Sequence, residues 1–373
     1  MFLFQLYRVN SRFLNSVGIR NYSAPVNIKK TVFISQSKDI FTNLAFEDWM
    51  YKNWNFNNHH VLLMWQSDPC VVIGRHQNPF LEANIGELKN ITKCGVSLAR
   101  RNSGGGTVFH DHGNLNLSFL TTHENYNRRY NLEVISRAVS KEYGLNIEIN
   151  KREDLVIGDY KVSGTASKLG RPNAYHHCTL LVNVNKEDLS CSLKKTNLNI
   201  NTNATKSVRS KIMNLSEKIE NISVENLMKT IGIEYMRTPA FQGKNKSIYA
   251  NSPQGFKYVD PSEEQFPGIS HSLELFTSWK WIHGKTPKFV IKYSIPLFPS
   301  FDCTSSDECI ATLTVENGII CEIGLMLPHI LNDLNIKNTV ESVLQQSIFS
   351  LDTFCVIKEI LDESVKNQVS VIT

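Results

Sequence analysis

RRNSGGGTVFHD, residues 100–111, is the stretch of this chain that most constrains its fold and chemistry. Three consecutive glycines, Gly104–Gly106, stand between two β-rich runs that predict strands at 96–101 and 107–110. Glycines carry no Cβ, so the backbone N–H groups of such a loop can approach phosphate or carbonyl oxygens closely, beside the charge of the preceding arginines. No GKS or GKT follows, and a strand comes next where a helix would be needed, which excludes a Walker loop and a dinucleotide fingerprint. The glycine run alone is also compatible with a flexible hairpin.

A second motif places one lysine beside a serine–glycine bend. Arg152-Glu153-Asp154-Leu155-Val156 is followed by Tyr160-Lys161-Val162-Ser163-Gly164-Thr165-Ala166. A lysine on a strand at such a bend can direct its ammonium into a cleft, where it stabilises an acyl-phosphate or the oxyanion of acyl transfer. The alternative is a surface lysine on an edge strand.

A third motif is basic and rich in hydroxyl groups. It runs from Ser207 to Leu215 and reads SVRSKIMNL. After a polar loop, such a stretch is able to close over a nucleotide, although on its own it is also typical of a solvated helix start.

Together the three motifs resemble one family, the lipoate–protein ligases and lipoyltransferases. The family pattern has paired arginines, then SGGG[AT]V[FY]HD, RxDL, K[IV]SG[ST]A, HHxTLL and SVRS, and this chain matches it in order and spacing. The match includes Tyr175–Leu181 (YHHCTLL), and Val71–Asn78 resembles the segment beside the family's acyl pocket. The strong resemblance covers roughly residues 30–235, and its variants are closest to the mitochondrial lipoyltransferase branch.

The resemblance implies a two-part α+β protein. Its catalytic domain, expected at 26–265, has the mixed sheet of class II aminoacyl-synthetases and biotin ligases, and a small α+β accessory domain is expected at 270–373. The residues themselves favour α+β, because strands outnumber helices and no regular βαβ alternation is present. They also predict a hairpin from 61–65 and 70–74, a polar loop at 186–206 and irregular chain at 238–268.

The resemblance also assigns site residues. Lys161 matches the catalytic lysine that contacts the acyl carbonyl and the phosphate of lipoyl-AMP, and the glycine loop matches the lipoyl and phosphate path. Phe109 is tyrosine in some relatives, so a hydroxyl contact is lost there. The expected lipoyl- and lipoyl-AMP-binding residues are Arg101, Ser103, Gly104, Gly105, Gly106, Phe109, Arg152, Asp154, Lys161, Ser163, Gly164, Thr179, Val208 and Ser210.

The implied reaction is aminolysis, in which a lipoyl group passes to a lysine of a lipoyl domain in 2-oxoacid dehydrogenase acyltransferase subunits. The donor is the lipoylated H protein of glycine cleavage or lipoyl-AMP. The protein is expected to contain no tightly bound cofactor and to be a monomer. The strands around Val71 and Leu117 are expected to hold the apolar tail. Two alternatives remain open, an ATP-dependent lipoate–protein ligase and a non-catalytic binder of lipoyl domains.

Two further groups of residues suggest other chemistry. Cys178 is a candidate for a thioester intermediate, against which stands core packing in an apolar strand. His110-Asp111-His112 is a candidate metal site, but no third ligand follows at a suitable spacing, so no metal is expected. The eight cysteines form no CxxC pair, which is typical of reduced thiols.

Charge and hydropathy point to a mitochondrial matrix protein. Residues 1–25 contain Arg8, Arg12 and Arg20 and no acid, which is typical of a transit peptide. The formal net charge is +5, so the rest of the chain is nearly neutral, which argues against nucleic-acid binding. No run approaches the roughly 18 apolar residues of a membrane span.

Overall fold

The structure is a computed structural model that describes residues 27–241, 251–296, 308–328 and 334–372. The transit peptide expected at residues 1–25 lies outside the described residues. Within the described ranges, no helix combines the length and apolarity needed to cross a membrane.

Strands outnumber helices in the described chain, as the sequence predicts. The strands are β1 (Ile28–Ser35), β2 (His59–Trp65), β3 (Cys70–Ile73), β4 (Ser97–Arg100), β5 (Val108–His110), β6 (Asn114–Thr122), β7 (Glu148–Ile149), β8 (Leu155–Ile157), β9 (Tyr160–Lys161), β10 (Ser163–Leu169), β11 (Asn173–Leu181), β12 (Asn199–Thr202), β13 (Asn251–Val259), β14 (Phe289–Pro296), β15 (Glu308–Glu316) and β16 (Ile319–Met326). The helices are α1 (Ile40–Asn53), α2 (Pro79–Glu82), α3 (Leu88–Ile91), α4 (Arg128–Tyr143), α5 (Lys186–Ser192), α6 (Val224–Arg237), α7 (Ile269–Thr277), α8 (Trp279–Ile282), α9 (Leu334–Leu344) and α10 (Thr353–Ile372).

A six-stranded mixed sheet is the centre of the molecule. Its strand order is β10-β11-β6-β2-β1-β13, with β1 parallel to both of its neighbours and the remaining pairs antiparallel. The apolar side chains of one face pack against α4 and α6, and those of the other face pack against α1 and α7. Period-two alternation along each strand supplies both layers, because successive side chains point to opposite faces. The mixed sheet with helices on both faces confirms the predicted α+β class.

Two small sheets carry the motifs. Strands β4-β3-β5 form one of them, with the glycine loop between β4 and β5, and β7-β8-β9 form the other, which ends at Lys161. The predicted hairpin of 61–65 with 70–74 is wrong, because β2 belongs to the main sheet while β3 pairs in parallel with β4. A connection of a few residues between two strands does not by itself decide that they pair with each other.

The accessory unit is a four-stranded antiparallel sheet, β12-β14-β15-β16, with α9 and α10 packed on it. Its first strand comes from the predicted polar loop at 186–206, which instead contains α5 and β12. Helix α5 begins there because the Asn185 side chain accepts hydrogen bonds from the backbone N–H groups of Glu187 and Asp188. The polar composition of residues 186–206 did not indicate either element in the sequence, since an exposed edge strand needs few apolar residues.

The region predicted to be irregular, 238–268, contains strand β13 at the edge of the main sheet. It pairs in parallel with β1, and the register shifts between Lys30 and Val32. Pro253 and Gly255 concealed the strand in the sequence. Both are tolerated because an edge strand leaves one row of its backbone groups without a ladder partner.

Candidate active site

Two neighbouring chambers open beside the glycine loop. The larger has a volume of about 710 Å³ and the smaller about 340 Å³. They share a wall made of seven residues, Thr107, Val108, Lys161, Gly164, Thr179, Ser207 and Val208. A ligand with two unlike halves therefore meets these shared residues at its middle.

Arg101 holds the glycine loop in place through hydrogen bonds. Its guanidinium is buried and donates to the carbonyl oxygens of Gly104 (2.6 Å) and Gly106 (2.7 Å) and to the hydroxyl of Ser103 (3.1 Å). Gly105 has φ +89°, a left-handed conformation that favours glycine. Burial lowers the pKa of Arg101 to about 10, so the side chain stays charged at neutral pH. The loop is thus held rigidly, unlike a flexible hairpin.

Lys161 stands where the two chambers meet. Its Nζ lies 2.7 Å from Oδ1 of Asp154, and the side chains are only 24% and 9% exposed. The backbone N–H of Lys161 donates to the carbonyl of Lys211 (2.9 Å), and its carbonyl accepts from the N–H of Met213 (3.1 Å). The carboxylate therefore fixes the ammonium, and the short β-bridge fixes the backbone of Lys161. This excludes the free surface lysine considered above.

The larger chamber has an apolar floor and a polar rim. Phe109, Leu181 and Ile212 belong to its wall, and the Thr179 hydroxyl in that wall accepts from the N–H of Gly164 (3.0 Å). The exposed cations Lys194, Lys195 and Arg209 also border it. Such a cavity suits a flat apolar ring system attached to an anionic group.

The smaller chamber contains polar groups that are not among the predicted site residues. His177 lines it, and the Nδ1 atom of His177 lies 3.1 Å from Oε1 of the buried Glu47. Arg128, from the first turn of α4, lines the same chamber. The neighbouring His176 lies on the opposite face of the strand and stacks on Phe119.

Twelve of the fourteen predicted site residues line a chamber. They are Arg101, Gly105, Gly106, Phe109, Arg152, Asp154, Lys161, Ser163, Gly164, Thr179, Val208 and Ser210. Ser103 and Gly104 line neither chamber and act within the loop, as partners of Arg101. Of the strands around Val71 and Leu117, which were expected to hold the acyl tail, β3 lines the smaller chamber through Val72. Val71 and Leu117 themselves line neither chamber, because both side chains are packed in separate apolar clusters.

The rival chemistries find no support in the geometry. Cys178 is completely buried in the apolar cluster under α4 and α6, and this burial raises the pKa of its thiol well above the usual range. His110 is buried, while His112 binds Asp68 at the surface (2.7 Å). Among the described residues, no group of three or more His, Cys, Asp or Glu side chains is arranged to hold a metal ion.

Comparison with known proteins identifies the family. The model of the lipoyl protein ligase A/B catalytic domain matches residues 39–235, which include every motif described above. The chain belongs to this family. It is 39% identical over 318 residues to the human mitochondrial lipoyl amidotransferase, covering 84% of this chain and 81% of the human protein. The family match confirms the predicted class of enzyme, an amide-forming lipoyltransferase.

Solved structures of family members share the fold. The structure of P. falciparum LipL1 in complex with lipoate superposes with a TM-score of 0.56 at 24% identity, covering 91% of this chain and 99% of that one. The bipartite lipoate protein ligase of Thermoplasma acidophilum, from a study of this ligase and its E2 lipoyl domain, has a TM-score of 0.52 at 18% identity, covering 69% and 97%. These similarities support the mixed-sheet fold.

Proposed function

We propose that this protein transfers a lipoyl group to the side-chain amine of a lysine in a lipoyl domain. The observation that carries the proposal is the position of Lys161, which belongs to the walls of both chambers. An activated lipoyl carbonyl at this junction has its tail in one chamber and its leaving group in the other. The ammonium then lies beside the atom on which negative charge develops.

We assign the acyl tail to the smaller chamber and the leaving group to the larger. A chamber of about 340 Å³ suits a narrow eight-carbon chain with a dithiolane ring, and about 710 Å³ suits a nucleotide. Ala166 and Gly105 are small residues in the wall of the smaller chamber, and they leave space for the acyl chain. Phe109 and Ile212 offer apolar surface for a base in the larger one, and the cations at its rim match a phosphate.

The chemistry follows from this placement. The acceptor amine attacks the lipoyl carbonyl, a C–N bond forms, and a tetrahedral oxyanion appears within reach of Lys161. The intermediate collapses when the bond to the leaving group breaks. AMP departs with the electron pair as an anion, whereas the lysine of a donor protein departs as a neutral amine after its nitrogen has taken up, by way of Asp154, the proton released by the attacking amine. Asp154, beside Lys161 in the smaller chamber, is the carboxylate that takes up the proton released by the attacking amine.

The donor is lipoyl-AMP or the lipoylated H protein, and the acceptors are lipoyl domains of 2-oxoacid dehydrogenase acyltransferase subunits. The name of the human relative, a mitochondrial lipoyl amidotransferase, supports transfer between proteins. The acid-free leader and that same name support a location in the mitochondrial matrix. The archaeal ligase studied with its E2 lipoyl domain supports the class of acceptor. We propose that the enzyme acts as a monomer.

An ATP-dependent lipoate–protein ligase is the second candidate. The larger chamber favours it, because Lys194, Lys195 and Arg209 at the rim suit the phosphates of a nucleotide. In this alternative, lipoate displaces pyrophosphate from ATP at the same junction before the amine attacks.

The test is mass spectrometry of an unmodified lipoyl domain after incubation with the enzyme and one donor at a time. The donors are lipoylated H protein, lipoyl-AMP, and lipoate with ATP and Mg²⁺. Lipoylation from a preformed donor alone supports the transferase. Lipoylation from lipoate and ATP supports the ligase, and no lipoylation from any donor would refute both.

A further inference from the structure

Gln77 is a buried residue beside the chambers that the transfer chemistry does not use. It lies between β3 and α2, its side chain is fully buried, and it lines neither chamber. It therefore does not touch a ligand in either one. Its amide nevertheless bonds with two residues of the shared wall.

The amide uses both of its ends. Its Oε1 accepts from the Thr107 hydroxyl (2.8 Å) and from the N–H of Gly74 (2.8 Å), and its Nε2 donates to the Ser207 hydroxyl (3.0 Å). The N–H of Thr107 also donates to the Ser207 hydroxyl (2.9 Å). A Cβ on Gly106 would lie 3.1 Å from that hydroxyl, so the two segments are in close contact. Gln77 therefore binds the glycine loop to the segment that contains Ser207.

That segment, residues 205–210 and here called the strap, spans the two chambers. Before it, the chain belongs to β12 of the accessory sheet, and after it, residues 211–213 pair with Lys161. In its middle, Ser207 and Val208 line both chambers, although the side chain of Val208 is 65% exposed. The N–H of Ser207 is held by the carboxylate of Glu82 (3.1 Å). The side chains of Gln77 and Glu82 thus hold the exposed strap at its centre.

Gln77 is in turn connected to the segment around α8. Nη1 of the buried Arg100 donates to the carbonyl of Gln77 (2.8 Å), while its Nε and Nη2 donate to the carbonyl of Ile282 (2.9 and 2.7 Å). Nη2 also donates to the hydroxyl of Thr286 (3.0 Å). The backbone of Gln77 is therefore fixed by the same arginine that joins α8 to β4.

We propose that Gln77 is a positioning residue for lipoyl transfer, holding the strap against the glycine loop so that both chambers keep their shape. The inference rests on the proposed function, and it deepens it by assigning donor binding to a residue outside the chambers. An amide is needed here, because the site requires an acceptor toward Thr107 and Gly74 and a donor toward Ser207. A carboxylate removes the donor, and a thioether removes both.

The experiment compares Gln77→Met and Gln77→Glu with the wild type and with a matched control, Asn251→Asp. Asn251 is also an amide that joins two segments, since it accepts from the N–H of Ala240 (2.9 Å) and donates to the carbonyl of Thr238 (2.6 Å). It lies in β13, at the sheet edge opposite to the chambers. Each protein is assayed for transfer from lipoyl-AMP to a lipoyl domain. Trypsin cleavage at Lys206, Arg209 and Lys211 reports separately on the strap.

For Gln77→Met, we expect the KM for lipoyl-AMP to rise roughly 10- to 100-fold, since displaced binding groups weaken donor binding by such factors. The KM for the lipoyl domain should change by less than about threefold, and trypsin should cleave the strap at least about tenfold faster. Gln77→Glu should lie between Gln77→Met and the wild type, because it keeps the acceptor. The midpoint of thermal unfolding is measured for every variant.

The inference is overturned if Gln77→Met keeps the wild-type KM for lipoyl-AMP and the wild-type rate of strap cleavage. It is equally overturned if Asn251→Asp shows the same two changes, which would indicate general loosening. If Gln77→Met does not fold, Ser207→Ala is the deciding variant, and it must raise both the KM for lipoyl-AMP and the cleavage rate. An inactive wild-type enzyme would refute the proposed function, whereas an active one with unaffected Gln77 variants refutes only this inference.

Discussion

The two faces of strand β6 are both buried but differ in polarity. Leu115, Leu117 and Phe119 point toward α4 and α6 and are packed in apolar contacts. Asn116 and Ser118, between them in the sequence, are equally buried but polar. On the polar face, Asn116 lies opposite Thr179 and Ser118 opposite His177, and both of these partners line a chamber.

The difference shows how one sheet serves two purposes. Burying apolar surface contributes about 25 cal/mol per Å² to folding, so the packed face stabilises the sheet. Burying polar groups costs free energy unless they find partners, so the polar face is retained at the expense of stability. Substitutions on the packed face should therefore change stability, and substitutions around the chambers should change transfer.

The largest expected effect is that of Lys161→Ala. Removal of the ammonium at the junction should slow lipoyl transfer by about 1,000-fold, the upper end for loss of one preorganised donor to an oxyanion. Binding of the acceptor lipoyl domain should stay nearly intact, because the protein surface is unchanged. Steady-state kinetics and a binding titration measure the two effects. Unchanged activity would contradict the role of Lys161.

Leu117→Ala tests the packed face. Truncation of this fully buried side chain should lower the free energy of unfolding by about 3 kcal/mol, because a cavity remains under α4 and α6. Urea unfolding measures the loss. The kcat of the folded fraction should stay within about threefold of the wild type, since Leu117 lines neither chamber. A large fall in kcat without loss of stability would show that the two faces are not separate.

Ala166→Phe tests the assignment of the smaller chamber. Ala166 lies opposite His177 in the sheet and lines that chamber, so a phenyl ring there should obstruct the acyl tail. The KM for lipoyl-AMP should rise roughly 10- to 100-fold, while binding of AMP alone should be unchanged. If AMP binding is lost and lipoyl binding kept, the two chambers have been assigned the wrong way round.

The buried Lys30 allows a test of the packed face through the pH dependence of stability. Its ammonium is buried against the carbonyls of Tyr235, in the last turn of α6, and Thr238, the residue that follows the helix. Burial lowers its pKa from 10.5 to about 7. A lysine whose pKa is lower in the folded state destabilises the fold below about pH 7, and this penalty is relieved as the pH rises toward 10.5.

The stability of the wild type relative to Lys30→Met should therefore rise by about 2 kcal/mol between pH 7 and pH 9. Urea unfolding of both proteins at the two pH values measures the difference, and other titrating groups cancel in the comparison. A difference that stays constant or falls with pH would show that Lys30 keeps its ordinary pKa in the fold.

The smallest expected effect on transfer is that of Cys178→Ala. Cys178 belongs to the packed face, and its neighbour Thr179 to the chamber wall. Transfer by Cys178→Ala should stay within about twofold of the wild type, because no thioester is formed, and stability should fall by about 1 kcal/mol. Thr179→Val should instead raise the KM for lipoyl-AMP, by about fivefold, for loss of one hydroxyl contact. An inactive but folded Cys178→Ala enzyme would restore the thioester hypothesis.

The amino-acid sequence alone determined the family, the α+β class and most of the predicted residues that line the chambers. Motifs such as SGGGTVFHD and YKVSGTA depend on local backbone demands, since a glycine loop and a lysine beside a bend are read from neighbouring residues. For this reason most of the predicted site residues line the chambers.

Only the tertiary structure decided what depends on residues far apart in the chain. The pairing of β13 with β1, the transfer of β12 to the accessory sheet and the contact of Glu47 with His177 each join distant segments. The hydrogen bonds of Ser103 and Gly104 to the buried Arg101, and their absence from the chamber walls, were also visible only in the structure. Local propensity carries no information on which distant surface a segment meets, because that choice is made by packing and hydrogen-bond satisfaction across the whole fold.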